Sequence, residues 1–172
     1  MNNCLNEMPI LDPNSLEFIS RSAEQTRRVG MRLGAYLQPG DLIALEGDLG
    51  AGKTTFVQGI ANGWGSLDQV SSPTFVLVNV YRRPDGQRLY HLDAYRLENA
   101  AEAWDLDLEN MLANGPMVVE WANRIQKALP DENLWIRMRY IEESQRDLVF
   151  TANGGRYQKM LHTLQEKVFG VK

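Results

Sequence analysis

The chain has 172 residues, a formal net charge of −4 and a single cysteine, Cys4. That length suits one domain with a sizeable core, the acidic balance argues against a broad electrostatic grip on nucleic acid, and one cysteine excludes an intrachain disulfide or a cysteine-rich metal site. No apolar run approaches a membrane span and no basic-then-apolar leader opens the chain, so a soluble, cytoplasmic protein is expected.

Residues 1–14 lack periodicity and read as a flexible leader; residues 15–172 read as one domain. Leu16 to Ser20 suits an edge strand. Ser22 with Gln25 three residues on fits a capping box, and Val29, Leu33 and Leu37 continue an apolar stripe until Pro39-Gly40 is expected to end the helix. Leu42 to Leu45 is a wholly apolar run, as a strand buried on both faces requires. A glycine-rich turn from Gly47 to Gly52 follows, then Lys53, Thr54 and Thr55 open a second helix, with Gly63 and Gly65 expected to close it.

Strand, G-x-x-x-x-G-K-T and helix in that order form a phosphate-binding loop. Backbone amides at a helix start are donors without intrahelical partners, and glycines let the loop turn its amides inward around an anion. On this reading Asp48, Leu49, Gly50, Ala51 and Gly52 wrap a triphosphate and Lys53 reaches its β- and γ-phosphates. The Thr54 hydroxyl would ligate Mg²⁺, and Thr55 lies toward the α-phosphate. A nucleoside triphosphate ligand is the expectation.

Beyond Ser72-Pro73-Thr74, the run Phe75 to Tyr81 predicts a strand. Turn chemistry at 83–86 and the run Arg88 to Leu92 complete a hairpin. Residues 98–113 are acidic, with Ala101, Trp104, Leu108, Met111 and Leu112 spaced as one face of one or two helices. Gly115-Pro116 breaks that pattern, and Met117 to Val119 is a short buried strand ending in Glu120-Trp121. Ala122 to Leu129 reads as a brief helix. Leu134 to Tyr140 and Asp147 to Thr151 alternate as an antiparallel pair near a sheet edge, and a last helix from about residue 155 carries Met160, Leu161, Leu164 and Val168. The fold class is therefore α/β: a single-domain phosphate-loop NTPase fold with a mixed, largely parallel sheet flanked by helices.

Hydrolysis needs metal support and an oriented water as well as a loop. Glu120, ending a buried strand, suits an acid facing Mg²⁺. Asp93, expected at a strand's carboxyl end, suits a residue that positions or deprotonates the attacking water. His91 shares the face of Asp93 and reads as a packed, satisfied histidine before a catalytic one. Thr74 suits a hydroxyl that senses the γ-phosphate, while Arg96 and Arg124 could pair with nearby acids or approach phosphate.

Together G-D-L-G-A-G-K-T-T at 47–55, S-P-T-F at 72–75, Y-H-L-D-A-Y-R-L at 90–97 and V-E-W-A-N-R at 119–124 closely resemble the bacterial TsaE (YjeE) family. These are small ATPases of tRNA threonylcarbamoyladenosine biosynthesis, and the likeness covers roughly residues 16–152. It implies an ATPase that acts with a TsaB–TsaD heterodimer and meets tRNA indirectly, through those partners. By motif it implies Thr54 and Glu120 at Mg²⁺, Asp93 as needed for ATPase activity and Thr74 as a switch-like threonine. Trp121 matches the family's tryptophan beside the acid, and the segments near Ser22 and at 151–154 are similar to regions lining adenine. Two other readings stay open: a small-molecule kinase, and a binding module that uses ATP structurally.

Overall fold

Alternating and uninterrupted apolar runs supply seven strands, and the computed structural model, which describes residues 12–71 and 77–170, joins them in one sheet. In chain order the elements are β1 (Ser15–Ser20), α1 (Ala23–Gly34), β2 (Leu42–Glu46), α2 (Lys53–Trp64), β3 (Val78–Arg82) and β4 (Arg88–Asp93). Then follow α3 (Ala100–Trp104), α4 (Leu108–Asn114), β5 (Met117–Glu120), two 3₁₀ turns (Ala122–Arg124 and Gln126–Ala128), β6 (Asn133–Glu142), β7 (Gln145–Asn153) and α5 (Gly155–Phe169).

The strand order is β1-β7-β6-β2-β5-β4-β3. β6, β2, β5 and β4 pair in parallel, whereas β1–β7, β7–β6 and β4–β3 pair antiparallel. The mixed sheet is thus parallel at its centre and antiparallel toward both edges. Ile43, Leu45, Leu89 and Val118 enter the core beneath α1, α2 and α5. Leu42, Ala44, Met117 and Val119 enter a second core beneath α3, α4 and the 3₁₀ turns. Strands buried on both faces must be apolar at every position, which is why β2 and β5 read as unbroken runs.

Several local readings are corrected. α1 stops at Gly34, where the chain tightens into i→i+3 bonds from Tyr36 N to Leu33 O and from Leu37 N to Gly34 O. Leu37 still reaches the core. Trp104 is 65% exposed and Ala101 is exposed, because α3 is short and Asp107, at φ 55°, breaks the helical phase before α4 begins. Residues 122–129 form the two 3₁₀ turns instead of one helix. The expected antiparallel pair near a sheet edge is present as β6 and β7, with β1 outside them and β2 on the inner side of β6. Phe75 and Val76, expected to begin β3, lie outside the described residues.

Gly63 does not end α2; it packs inside it, and Gly65, at φ 98°, provides the left-handed cap. α1 and α2 meet backbone to backbone. A Cβ on Gly63 would lie 1.9 Å from the Met31 carbonyl oxygen, and one on Gly59 would lie 2.1 Å from that of Arg27. Because 27 meets 59 and 31 meets 63, the two helices run in the same direction. Gly63→Ala should therefore destabilise the fold by about 1–3 kcal/mol, since the intruding methyl meets backbone that cannot swing aside. Thermal unfolding checks this, and an unchanged midpoint would remove the close-contact account.

Candidate functional site

β2 ends at Glu46, and the next six residues turn the chain into α2. Gly50 and Gly52 hold φ 79° and 95°, values that a residue with a Cβ adopts only under strain. The helix proper begins with Phe56 N donating to Gly52 O at 2.9 Å, so the amides of residues 52–55 have no intrahelical carbonyl to bond, whereas the Ala51 amide donates to Asp48 O at 3.1 Å. Leu49 projects at the loop's tip, 76% exposed, while Ala51 is buried beneath it. Lys53 is also buried; its Nζ donates to the carbonyls of Gly47 and Asp48, the latter at 2.8 Å, and lies 4.3 Å from the Trp121 ring centroid. Burial pushes the Lys53 ammonium below its ordinary pKa, and the carboxylates of Glu120, Asp93 and Asp48 pull it back up.

The acids opposite are set by strand register. Leu45 pairs with Glu120, and Glu120 with Asp93, so three parallel strands end at one level. Glu120 is buried, with Oε1 accepting from Thr54 Oγ1 at 3.4 Å. Its other oxygen, Oε2, lies 3.6 Å from His91 Nε2. Asp93 Oδ1 accepts from the Tyr95 amide at 2.9 Å. Desolvation, then the neighbouring Glu120 charge, raises the Asp93 carboxyl above the usual aspartate value, against the Tyr95 hydrogen bond and Lys53. A half-buried carboxyl of this kind is suited to taking a proton.

Trp121 follows Glu120 with φ 56°, an outlier for a bulky side chain. Its ring packs 5.0 Å from that of Tyr95, and the Arg124 guanidinium lies 5.2 Å from the Tyr95 ring and 5.6 Å from Trp121. Cation–π contact with two rings thus accounts for Arg124, which could have been a phosphate ligand on sequence alone.

The structure brings the loop residues 48–55, Asp93, Glu120 and Trp121 together at one end of the sheet. Ser22 caps α1, accepting from Gln25 N at 3.1 Å, while Gln25 Oε1 accepts from Arg21 N. The next turn, Ala23 and Thr26, borders a cavity of about 80 Å³ with Gly52, Thr55, Ser144 and Arg146. Residues 151–154 do not join it. β7 runs antiparallel to β6, so Asn153 pairs with Asn133 at the end of the sheet away from the phosphate loop, and the β6–β7 turn takes that place beside Thr55. Thr74 lies outside the described residues. His91 is packed but only half satisfied, because Nε2 has no hydrogen-bond partner.

Arg146 escaped the sequence reading. Its Nε donates to Gly50 O at 3.1 Å and its Nη1 to Glu142 O at 2.7 Å, tying the phosphate loop to the β6–β7 turn. No spacing rule links residues so far apart in the chain.

A family model described as "Threonylcarbamoyl adenosine biosynthesis protein TsaE" matches residues 20–148. Among named proteins, the chain is 41% identical over 150 residues to the tRNA threonylcarbamoyladenosine biosynthesis protein TsaE of Bacillus subtilis, covering 87% of this chain and 93% of that one. It is 37% identical over 131 residues to the Treponema pallidum protein of the same name, covering 76% and 96% respectively. Among solved structures, the crystal structure of YdiB from Bacillus subtilis superimposes with a TM-score of 0.74 at 35% identity, over 89% of this chain and 95% of that one.

The raised Asp93 carboxyl carries a stability consequence. An acid whose folded pKa exceeds its unfolded value favours the native state at low pH and loses that contribution as pH rises through the folded pKa. Asp93→Asn, which keeps an acceptor for the Tyr95 amide, should therefore raise the melting midpoint at pH 8 and have little effect at pH 3. An equal effect at both would refute the desolvation account.

Proposed function

The chain belongs to the TsaE family of threonylcarbamoyl adenosine biosynthesis proteins, and on that premise we propose that it is the ATP-hydrolysing subunit of the tRNA modification. The modification adds threonylcarbamoyl to the adenosine beside the anticodon in tRNAs reading codons that begin with A. The subunit acts through a TsaB–TsaD heterodimer and meets tRNA through that pair. One observation carries the ATPase reading: a buried lysine and two carboxylates converge where the phosphate loop faces the ends of β4 and β5.

ATP enters with its phosphates against the amides of residues 48–55. Lys53 exchanges the carbonyls of Gly47 and Asp48 for β- and γ-phosphate oxygens, replacing neutral acceptors with charged ones. Thr54 Oγ1 and Glu120 Oε1, already neighbours, are the hard oxygen donors that would hold Mg²⁺ together with the phosphates. The described residues hold no group of three or more His, Cys, Asp or Glu fit for a metal. When bound, Mg²⁺ supplies positive charge against the triphosphate.

Asp93 takes the water proton as the water oxygen bonds to the γ-phosphorus. The bridging β–γ oxygen bond breaks, ADP keeps its electron pair, and inorganic phosphate is the second product. Trp121 covers Lys53 and keeps bulk water from the ammonium. The base end of the nucleotide lies toward Ala23, Thr26 and the β6–β7 turn. Among the described residues no helix is long and apolar enough to cross a membrane.

Phosphate release from ATP should be slow for the chain alone and strongly stimulated by purified TsaB–TsaD. Absence of stimulation, with intact ATP binding, would refute the partner assignment. Lys53→Ala should abolish nucleotide binding or turnover. Asp93→Ala should retain ATP binding while turnover falls by about 10²–10⁴, the usual range for a lost general base, and normal turnover would demote Asp93 to a structural role.

A further inference from the structure

His91 has a place in this site that the nucleotide reading does not use. It is fully buried on β4, on the face shared with Asp93, Glu120 and Tyr81. Its Nδ1 is 2.8 Å from the Tyr81 hydroxyl, and its Nε2 has no hydrogen-bond partner. Buried imidazole nitrogens are seldom left so, because an unpaired polar atom away from water costs free energy. What Nε2 faces is Glu120 Oε2, at 3.6 Å, just beyond hydrogen-bond reach. The opposite oxygen of that carboxylate is the one that accepts from Thr54.

The tautomer follows from the partners. Burial pushes the Tyr81 phenol up to about 12, with Glu120 and Asp68 adding to the rise and the Asn79 side chain acting the other way. A carboxylate oxygen can only accept, so the ring hydrogen that faces Glu120 Oε2 sits on Nε2, and Nδ1 is left to accept from the Tyr81 hydroxyl. A relay of fixed direction then runs from β3 through β4 to the end of β5.

We propose that His91 is a positioning residue for Glu120: anchored through Nδ1 by Tyr81, it directs Nε2–H at Oε2 and turns Oε1 toward the cation held with Thr54. The inference rests on the Mg²⁺ role given to Glu120 and requires no change in the charge of His91. A partner behind a metal-binding carboxylate fixes its orientation and sharpens its affinity. Closing 3.6 Å to a hydrogen bond takes a carboxylate shift of a few tenths of an ångström, as Thr54 Oγ1 turns from Glu120 to the ion.

The chain holds only two histidines, so long-range ¹H–¹⁵N spectra of the wild-type, metal-free protein distinguish His91 from His162. The expected result is the Nε2–H tautomer; an Nδ1–H tautomer overturns the inference, since Nε2 would have no proton to give. ATP affinity is then compared with and without Mg²⁺. A glutamine amide can reach the Nε2 position whereas an asparagine amide reaches only that of Nδ1. His91→Asn should thus lose about tenfold of the Mg²⁺-dependent share of affinity and leave metal-free binding intact, and His91→Gln should recover most of that loss. Wild-type Mg²⁺ dependence in His91→Asn, where Glu120→Ala is impaired, overturns the inference alone. Wild-type Mg²⁺ dependence in Glu120→Ala overturns the cation reading itself, and this inference with it. Should His91→Asn not fold, the wild-type tautomer still decides.

Discussion

The parallel ladders that join β2, β5 and β4 are the constraint on which the site depends. They bring Leu45, Glu120 and Asp93 to the same level, so the strand that feeds the phosphate loop and the two strands that end in carboxylates finish side by side. A one-residue slip would turn Glu120 from the α2 face to the opposite core, because side chains alternate across a strand. Register is held by burial: Ile43 and Val118 must enter one core while Leu42 and Met117 enter the other. The geometry of the site and the hydrophobic pattern are therefore one specification. Neither can shift without the other.

Two acids at adjacent strand ends repel each other, and the fold answers with one buried cation. Lys53 lies among Glu120, Asp93 and Asp48, and their charges offset part of its desolvation. Its ammonium rests on loop carbonyls and under the Trp121 ring, contacts that stabilise it without neutralising it. Trp121 takes a left-handed backbone to get there. Strain of about 1–3 kcal/mol at such a residue persists only where surrounding contacts over-determine it, and here the Tyr95 ring and the Arg124 guanidinium supply them.

What was legible in the sequence was local. The phosphate loop declares itself because glycines, lysine and helix start are contiguous, and Glu120 because an apolar run halts at an acid. Asp93 and His91 could be assigned to one face by the period of two. Contacts between distant segments were not legible. Arg146 meets Gly50 only because β7 folds back along β6, and the cavity beside Thr55 is bordered by the β6–β7 turn instead of residues 151–154 for the same topological reason. Trp104 failed differently, since a helical face was projected through Asp107, whose backbone ends the helix. Gly63 looked like a stop signal, and what it supplies is the absence of a side chain against Met31.

That absence reaches beyond packing. Peptide dipoles in a helix sum to roughly half a positive charge at its first turn, and helices lying antiparallel largely cancel one another. α1 and α2 lie parallel at backbone contact, so their fields add at the shared amino-terminal end, beside the loop formed by residues 47–52. In a chain of net charge −4 the backbone thereby adds a positive contribution to the potential around the loop, beside that of Lys53. Unlike the charge of a lysine ammonium, that contribution does not titrate, and it persists at any pH that leaves the helices folded.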